Sequence, residues 1–173
     1  AREAEILKPG RSCTVGRSGG LVLKRFNLRK LGNLAKDFFR LSKARRAYQK
    51  AYHLEIAGVP TARAIATADR RIAGVLLRGY FLMEAIPNPR HLGQWTGDPR
   101  ATVRQLADVL AKLHNEGFSH RDLKETNLVF DGDGKLHIID LEGLEYLETV
   151  PPARAAADLA RFARGAEKHP AFT

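Results

Sequence analysis

Apolar residues at the start of the chain come in short alternating blocks separated by polar turns. Residues 4 to 7 and 14 to 17 read as strands joined by Lys8-Pro9-Gly10-Arg11-Ser12-Cys13, and Leu21-Val22-Leu23-Lys24-Arg25-Phe26 follows a Ser18-Gly19-Gly20 turn as a third strand. From residue 28 to 57 the period changes to that of a helix. Leu31, Leu34, Ala35, Phe38 and Phe39 recur at three- and four-residue spacing, with Arg29, Lys30, Lys36 and Arg40 among them. A break near Arg40 to Lys43 splits the segment, Ser42 is a candidate N-cap for its second half, and Gly58-Val59-Pro60 ends it. Residues 61 to 67 and 75 to 86 read as strands four and five, with Asp69-Arg70-Arg71 in the turn between. Residues 87 to 97 form a linker whose Trp95 is either a packing anchor or a substrate-side aromatic. Asp98 caps and Pro99 starts a helix to Glu116, with Val103, Leu106, Ala107, Leu110 and Leu113 on one face and Gly117 as its stop. Short apolar runs at Leu128-Val129-Phe130 and Ile138-Ile139 flank Asp131-Gly132-Asp133-Gly134. That turn has half the letters of a calcium loop but lacks the remaining ligands. A last helix begins near Pro152 and includes Asp158, Leu159 and Phe162. Strands dominate the first half and helices the second, which predicts an α+β fold, as one domain or two small lobes.

At 173 residues and 44% hydrophobic, the chain is large enough to bury a core. Its single Cys, Cys13, excludes a disulfide framework and fits a reduced thiol. No apolar run reaches membrane-span length, and no signal-peptide pattern opens the sequence. The formal charge of +10 is uneven: residues 1–90 hold 19 Lys and Arg against 6 Asp and Glu, whereas residues 91–173 hold 10 against 13. A basic first half points to an anionic partner such as nucleotide phosphates, a phosphorylated glycolipid or an anionic membrane face, or else to a solvated basic face. Nucleic acid is not expected, because no reading motif or set of stacking aromatics accompanies the charge.

The chemistry concentrates in His120-Arg121-Asp122-Leu123-Lys124-Glu125-Thr126-Asn127 and in Asp140-Leu141-Glu142-Gly143. In-line phosphoryl transfer needs a carboxylate to orient the attacking hydroxyl, a cation near the γ-phosphate and oxygen ligands for Mg²⁺. Asp122 suits the first task, Lys124 the second, and Asn127 and Asp140 the third. With Asp122 in place as base, His120 reads as a buried structural residue.

The loop resembles the protein-kinase catalytic loop, and Asp140 to Gly143 resembles the family's metal-binding Asp-Phe-Gly with one residue inserted. The resemblance implies ATP and Mg²⁺ as cofactors and a two-lobed fold, with an N-lobe over 1–87 and a truncated or minimal C-lobe over 88–173. The chain is short for a kinase catalytic domain and begins at Ala1, so a fragment is expected. By the same resemblance Lys24 is the strand-three Lys that contacts the α- and β-phosphates. Gly10 keeps one glycine of the Gly-rich loop, with Lys8 and Cys13 in the other two places. Phe81 to Ile86, with Glu84 and Ile86, is the hinge strand whose backbone binds adenine, and Val15, Val22, Val129 and Ile139 form the apolar slot. Asp158 anchors the catalytic loop, and Arg121 ties it to nearby acidic groups. One departure stands out: the helix Glu that pairs with Lys24 in kinases is replaced by Ala47, and the only carboxylates between Lys24 and Gly58 are Asp37 and Glu55.

No Ala-Pro-Glu element follows Gly143, and the stretch before the next helix is too short to present a peptide in extended form. Ser42-Lys43-Ala44-Arg45-Arg46-Ala47-Tyr48, Ala57 to Thr61, His114 to Asn127 and Ala157 to Arg161 together resemble lipopolysaccharide kinases of the Kdo/WaaP type. That implies a kinase that phosphorylates a sugar of the lipopolysaccharide core. Its place would be the cytoplasm, with peripheral contact at the anionic inner membrane of a Gram-negative bacterium. A protein or small-molecule kinase of the same fold, or a nucleotide-binding pseudokinase, are the alternatives.

Overall fold

The computed structural model describes residues 5–10, 12–27 and 41–166. The chain divides into two compact units, Ala1–Tyr52 with Ala62–Ile86 and His53–Thr61 with Pro87–Thr173. The helix expected over residues 28 to 40, with its apolar stripe of Leu31, Leu34, Ala35, Phe38 and Phe39 and the basic Arg29, Lys30, Lys36 and Arg40, lies outside the described residues.

In the first unit, strands β1 (Glu5–Lys8), β2 (Cys13–Ser18), β3 (Leu21–Asn27), β4 (Ala64–Ile72) and β5 (Val75–Glu84) pair antiparallel in the order β1-β2-β3-β5-β4. Period-two alternation sorts their side chains. Lys24 stands directly opposite Phe81, and Phe26, two residues on, shares that face; both phenylalanines are buried. Helix α1 (Lys43–Ile56) lies against the same face, where a Cβ on Gly79 would come within 2.9 Å of Ala44 Cβ and where Tyr48 meets Phe81 edge-on at 6.3 Å. Among its buried residues are the small Ala44, Ala47 and Ala51, spaced one and two turns apart along the helix. Ser42 caps the helix, its Oγ accepting the Arg45 N–H at 3.0 Å.

The fourth strand corrects the sequence expectation. Asp69, Arg70 and Arg71 belong to β4, and the turn is Ala73-Gly74, both with positive φ (47° and 81°). Two such residues make the hairpin turn whose twist matches its strands. The polar run stays in the ladder because Asp69 finds cations: Arg45 Nε on α1 at 3.3 Å and Arg71 at 3.6 Å.

The second unit contains helices α2 (Pro99–Asn115) and α3 (Pro152–Ala166) and two small ladders. Strands β6 (Arg90–His91), β8 (Leu128–Phe130) and β9 (Leu136–Ile138) form one, in the order β6-β8-β9, and β7 (Phe118–His120) pairs with β10 (Leu144–Tyr146) in the other. Asp98 caps α2 by accepting the Ala101 N–H at 2.7 Å. The buried face of α2 is Thr102, Leu106, Leu110 and Leu113, whereas Val103 is 42% exposed and Ala107 is exposed as well. Trp95 explains the shift: its Nε1 donates to Thr102 Oγ1 at 3.1 Å, and its ring stacks on Phe130 at 4.3 Å. Trp95 is therefore a packing anchor. The largest fully buried side chains, Phe130, Leu54, Leu92, Leu113 and Leu123 among them, all fall in this unit. No helix among the described residues is long and apolar enough to cross a membrane.

Candidate active site

The loop that carries Asp122 is built outward from a buried pin. Asp158, on α3 and 2% exposed, accepts hydrogen bonds at Oδ2 from Ser119 Oγ and from the His120 backbone N–H, both at 2.8 Å, and His114 Nε2 lies 3.3 Å away. A carboxylate bonded to a backbone amide fixes the chain direction as well as the charge. After His120 the chain turns back on itself. The Leu123 N–H bonds the His120 carbonyl at 3.0 Å, and Leu123 is wholly buried, so neighbouring Asp122 and Lys124 are turned outward. The Lys124 Nζ lies 2.9 Å from Asp122 Oδ2, with both side chains about half exposed (45% and 54%). An exposed pair of this kind is weak and can rearrange when a substrate arrives.

A 3₁₀ turn, Glu125–Asn127, closes the loop. Asn127, 4% exposed, donates from Nδ2 to the Asp122 carbonyl at 2.8 Å, which ties the two residues together and leaves its Oδ1 as the acceptor end of the amide. The Ile139 N–H bonds the Asn127 carbonyl at 2.8 Å, which brings the exposed Asp140 in directly beside that turn. Asp140 has φ 58° and ψ 62°, a left-handed conformation that costs a non-glycine residue energy and is concentrated at functional sites. The chain then makes a second 3₁₀ turn, Leu141–Gly143, and the Gly143 carbonyl accepts the Arg121 N–H at 3.0 Å. A Cβ at 143 would lie 3.0 Å from both Asp122 Cβ and Asp122 N, so the residue inserted before this glycine delivers it against the catalytic loop.

His120 is structural, as expected. It is fully buried, and its Nδ1 accepts the Asp122 N–H at 3.3 Å. Burial depresses its pKa below the ordinary value; its own backbone hydrogen bond and the nearby Asp158, Asp122 and Asp140 offset only part of that. Asp131 acts as the turn residue anticipated, with Oδ1 accepting the N–H groups of Asp133 and Lys135 at 3.0 and 2.9 Å. Burial alone would raise its pKa, but the 2.8 Å contact with His137 and these two amides together hold it below the usual value. The acidic partner of Arg121 is Glu145, at 3.5 Å, which also pairs with Arg154 of α3 at 2.6 Å. The sequence did not single out Glu145, whose role follows from the β7–β10 register that sets it opposite Ser119.

The remaining sequence candidates lie in the first unit, except Val129, which is buried in β8, and Ile139, which is half-buried just after β9. Val15 is the ladder partner of Lys24, and Val22 that of Met83. Lys24 Nζ lies 5.2 Å above the Phe26 ring, a cation–π distance. A side chain at Gly10 would collide with the Cys13 carbonyl, and Asn27 Nδ2 holds the Gly10 carbonyl at 3.4 Å. Glu84 ion-pairs with Arg63 at 3.0 Å, and the Ala85 N–H before Ile86 bonds the Gly20 carbonyl at 2.8 Å. Ala47 is buried on α1, Glu55 is exposed, and Asp37 lies outside the described residues. Hydrogen bonds thus gather Asp122, Lys124, Asn127 and Asp140 around one turn of chain, and strand register gathers Val15, Val22 and Lys24. Among the described residues no cluster of three His, Cys, Asp or Glu could hold a metal. The Asn127 amide oxygen and the Asp140 carboxylate still fit Mg²⁺, a hard cation usually bound by one or two protein oxygens plus water and phosphate.

Known proteins place this arrangement. A 3-deoxy-D-manno-octulosonic acid kinase from Vibrio parahaemolyticus serotype O3:K6 is 30% identical over 119 residues, which cover 64% of this chain and 50% of that protein. The chain therefore spans about half the length of that relative. A maternal embryonic leucine zipper kinase from Xenopus laevis is 39% identical over 72 residues, 36% of this chain and 11% of the relative. The structure of WaaP in complex with acyl carrier protein matches with a TM-score of 0.72 at 20% identity, over 96% of this chain and 72% of that one. A crystal structure of WbdD matches at 0.58 and 21% identity, over 91% of this chain and 36% of that one. The two likenesses establish a protein-kinase-like fold. The model of the lipopolysaccharide kinase (Kdo/WaaP) family matches residues 3–173, and the chain belongs to that family.

Proposed function

We propose that this chain carries the catalytic machinery of an ATP-dependent kinase that phosphorylates a sugar hydroxyl of the lipopolysaccharide core. The observation that carries the reading is the Asp122 loop: an exposed carboxylate on a backbone pinned by Asp158, with Lys124 at 2.9 Å and Asn127 bonded to its own carbonyl. In this reading Asp122 orients the acceptor hydroxyl and takes its proton as the acceptor oxygen bonds to the γ-phosphorus and the bridging oxygen leaves with ADP. Lys124 offsets charge on the transferring group. Lys24 holds the α- and β-phosphates, Gly10 lies in the loop over them, Val15, Val22 and Val129 face adenine, and the backbone at Glu84 and Ile86 binds its edge. Residues 1–87 act as the nucleotide-binding lobe and 88–173 as the catalytic lobe. Asn127 and Asp140 would hold Mg²⁺, which neutralises phosphate charge when bound.

The acceptor class is supported by the short stretch from Leu144 to Pro151, which offers no platform for an extended peptide, and by the sugar named for the Vibrio relative. Such an acceptor places the enzyme at the cytoplasmic face of the inner membrane, in peripheral contact with it. The test is transfer from labelled ATP to lipopolysaccharide ending in 3-deoxy-D-manno-octulosonic acid, with generic proteins as competing acceptors. Label on the glycolipid, lost in Asp122→Asn, is the expected result, whereas label on protein alone sinks the proposal.

A further inference from the structure

The strand register places three arginines on the face of the first unit's sheet that Lys24 does not share. Lys24 pairs with Phe81 and Arg25 with Tyr80, so these two consecutive β3 residues point to opposite sides. On the Arg25 side, Asn27 stands opposite Arg78, and Arg78 stands opposite Arg70 across β5 and β4. Like charges directly opposite one another destabilise a ladder, and Arg25 is the diagonal neighbour of the same pair. No carboxylate offsets them: among the described residues none of the three makes an ion pair, and Asp69, adjacent to Arg70, faces α1 and is bound to Arg45 and Arg71. Together with Asn27 and Leu77 the three arginines line a concavity of about 530 Å³. Arg25 is already set in place, its Nη2 donating to Thr14 Oγ1 at 3.2 Å.

We infer that this concavity is a second anion site, distinct from the nucleotide-binding face, that takes a phosphate group. Guanidinium forks match the oxygens of a phosphate, and a prefixed Arg25 lowers the ordering cost of binding. The volume is that of a small-molecule pocket, large enough for a phosphomonoester with its attached sugar or glycerol. The bound anion replaces arginine repulsion with attraction, so occupancy stabilises the sheet.

Isothermal titration and thermal melting with inorganic phosphate and pyrophosphate test the soluble source. Cosedimentation with phosphatidylcholine vesicles, with and without phosphatidic acid, tests the lipid headgroup. Wild type and Lys24→Met should bind alike, and Arg70→Gln/Arg78→Gln should bind about ten-fold more weakly. Binding to soluble phosphate alone assigns the site to a free metabolite, and binding to acidic vesicles alone assigns it to a headgroup; either supports the inference. The double Gln variant should melt no lower than wild type in the absence of anion, because it removes a repulsive pair. Should it lose its fold, Arg70→Lys/Arg78→Lys, which keeps the charge and loses the fork, should show an intermediate loss. Failure of wild type to bind phosphate, pyrophosphate or phosphatidic-acid vesicles more than plain phosphatidylcholine vesicles, equal binding by the arginine variants, or loss of binding in Lys24→Met overturns it.

Discussion

Asp158 and Asp69 are buried to almost the same degree, 2% and 4% exposed at the side chain, one in each unit, yet they do different work. Asp158 accepts directed hydrogen bonds from a hydroxyl and a backbone amide of the strand that leads into the catalytic loop. Among the described residues neither oxygen of Asp69 has a hydrogen-bond partner, and its charge is met by Arg45 and Arg71, themselves 54% and 30% exposed. A five-stranded ladder already fixes the backbone around Asp69, so that carboxylate only balances charge between helix and strand. The loop after His120 has no ladder to define it, and a buried carboxylate supplies the missing constraint.

The largest effect expected from this contrast is chemical. Asp122→Asn should lower phosphoryl transfer by ~10³-fold, the usual scale for a general base, while leaving the melting temperature unchanged, because the Asp122 side chain is not part of the pin. A parallel fall in stability would make Asp122 a structural residue instead. Asp158→Ala should cost about 3 kcal/mol in urea denaturation, because it strands buried donors at Ser119 and His120. Asp69→Ala should cost about 1 kcal/mol, its arginines being free to turn to solvent. Equal losses at the two sites would erase the distinction between them.

A third prediction concerns acid. The folded-state pKa of His120 lies below its ordinary 6.5, so the unfolded chain takes up a proton first as pH falls. Stability should therefore decline from pH 6.5 downward until the lower folded value is reached, and His120→Asn should flatten the slope between pH 7.5 and 5.5. Asp131 does not confuse that window. Its folded pKa is depressed below 3.8, so its contribution is lost only in stronger acid. The smallest effect belongs to the sheet surface: Glu84→Gln breaks the exposed pair with Arg63 and should shift stability by less than about 0.5 kcal/mol.

The local bonding of the Asp122 turn was legible in the sequence because its partners are close: Asn127 reaches Asp122 five residues back, and Lys124 reaches it at two. The caps Ser42 and Asp98 were legible for the same reason. Features that depend on distant partners were not. Asp69-Arg70-Arg71 reads as a turn until Arg45, on a separate helix, is placed beside Asp69. The sequence puts Val103 and Ala107 on the buried face of α2, which the Trp95 indole shifts to include Thr102, and Glu145 has no evident task until β10 pairs with β7.

Gly143 has a consequence for engineering. A methyl group there must push on Asp122, since both its Cβ and its N would be only 3.0 Å away, so the position works as a shim beneath the Asp122 side chain. With Asp122 as the proposed base, a misplacement of about 1 Å can cost roughly 10²-fold in rate, so Gly143→Ala should register in turnover before it registers in a melting curve. One hydrogen atom in place of a side chain sets the reach of the aspartate.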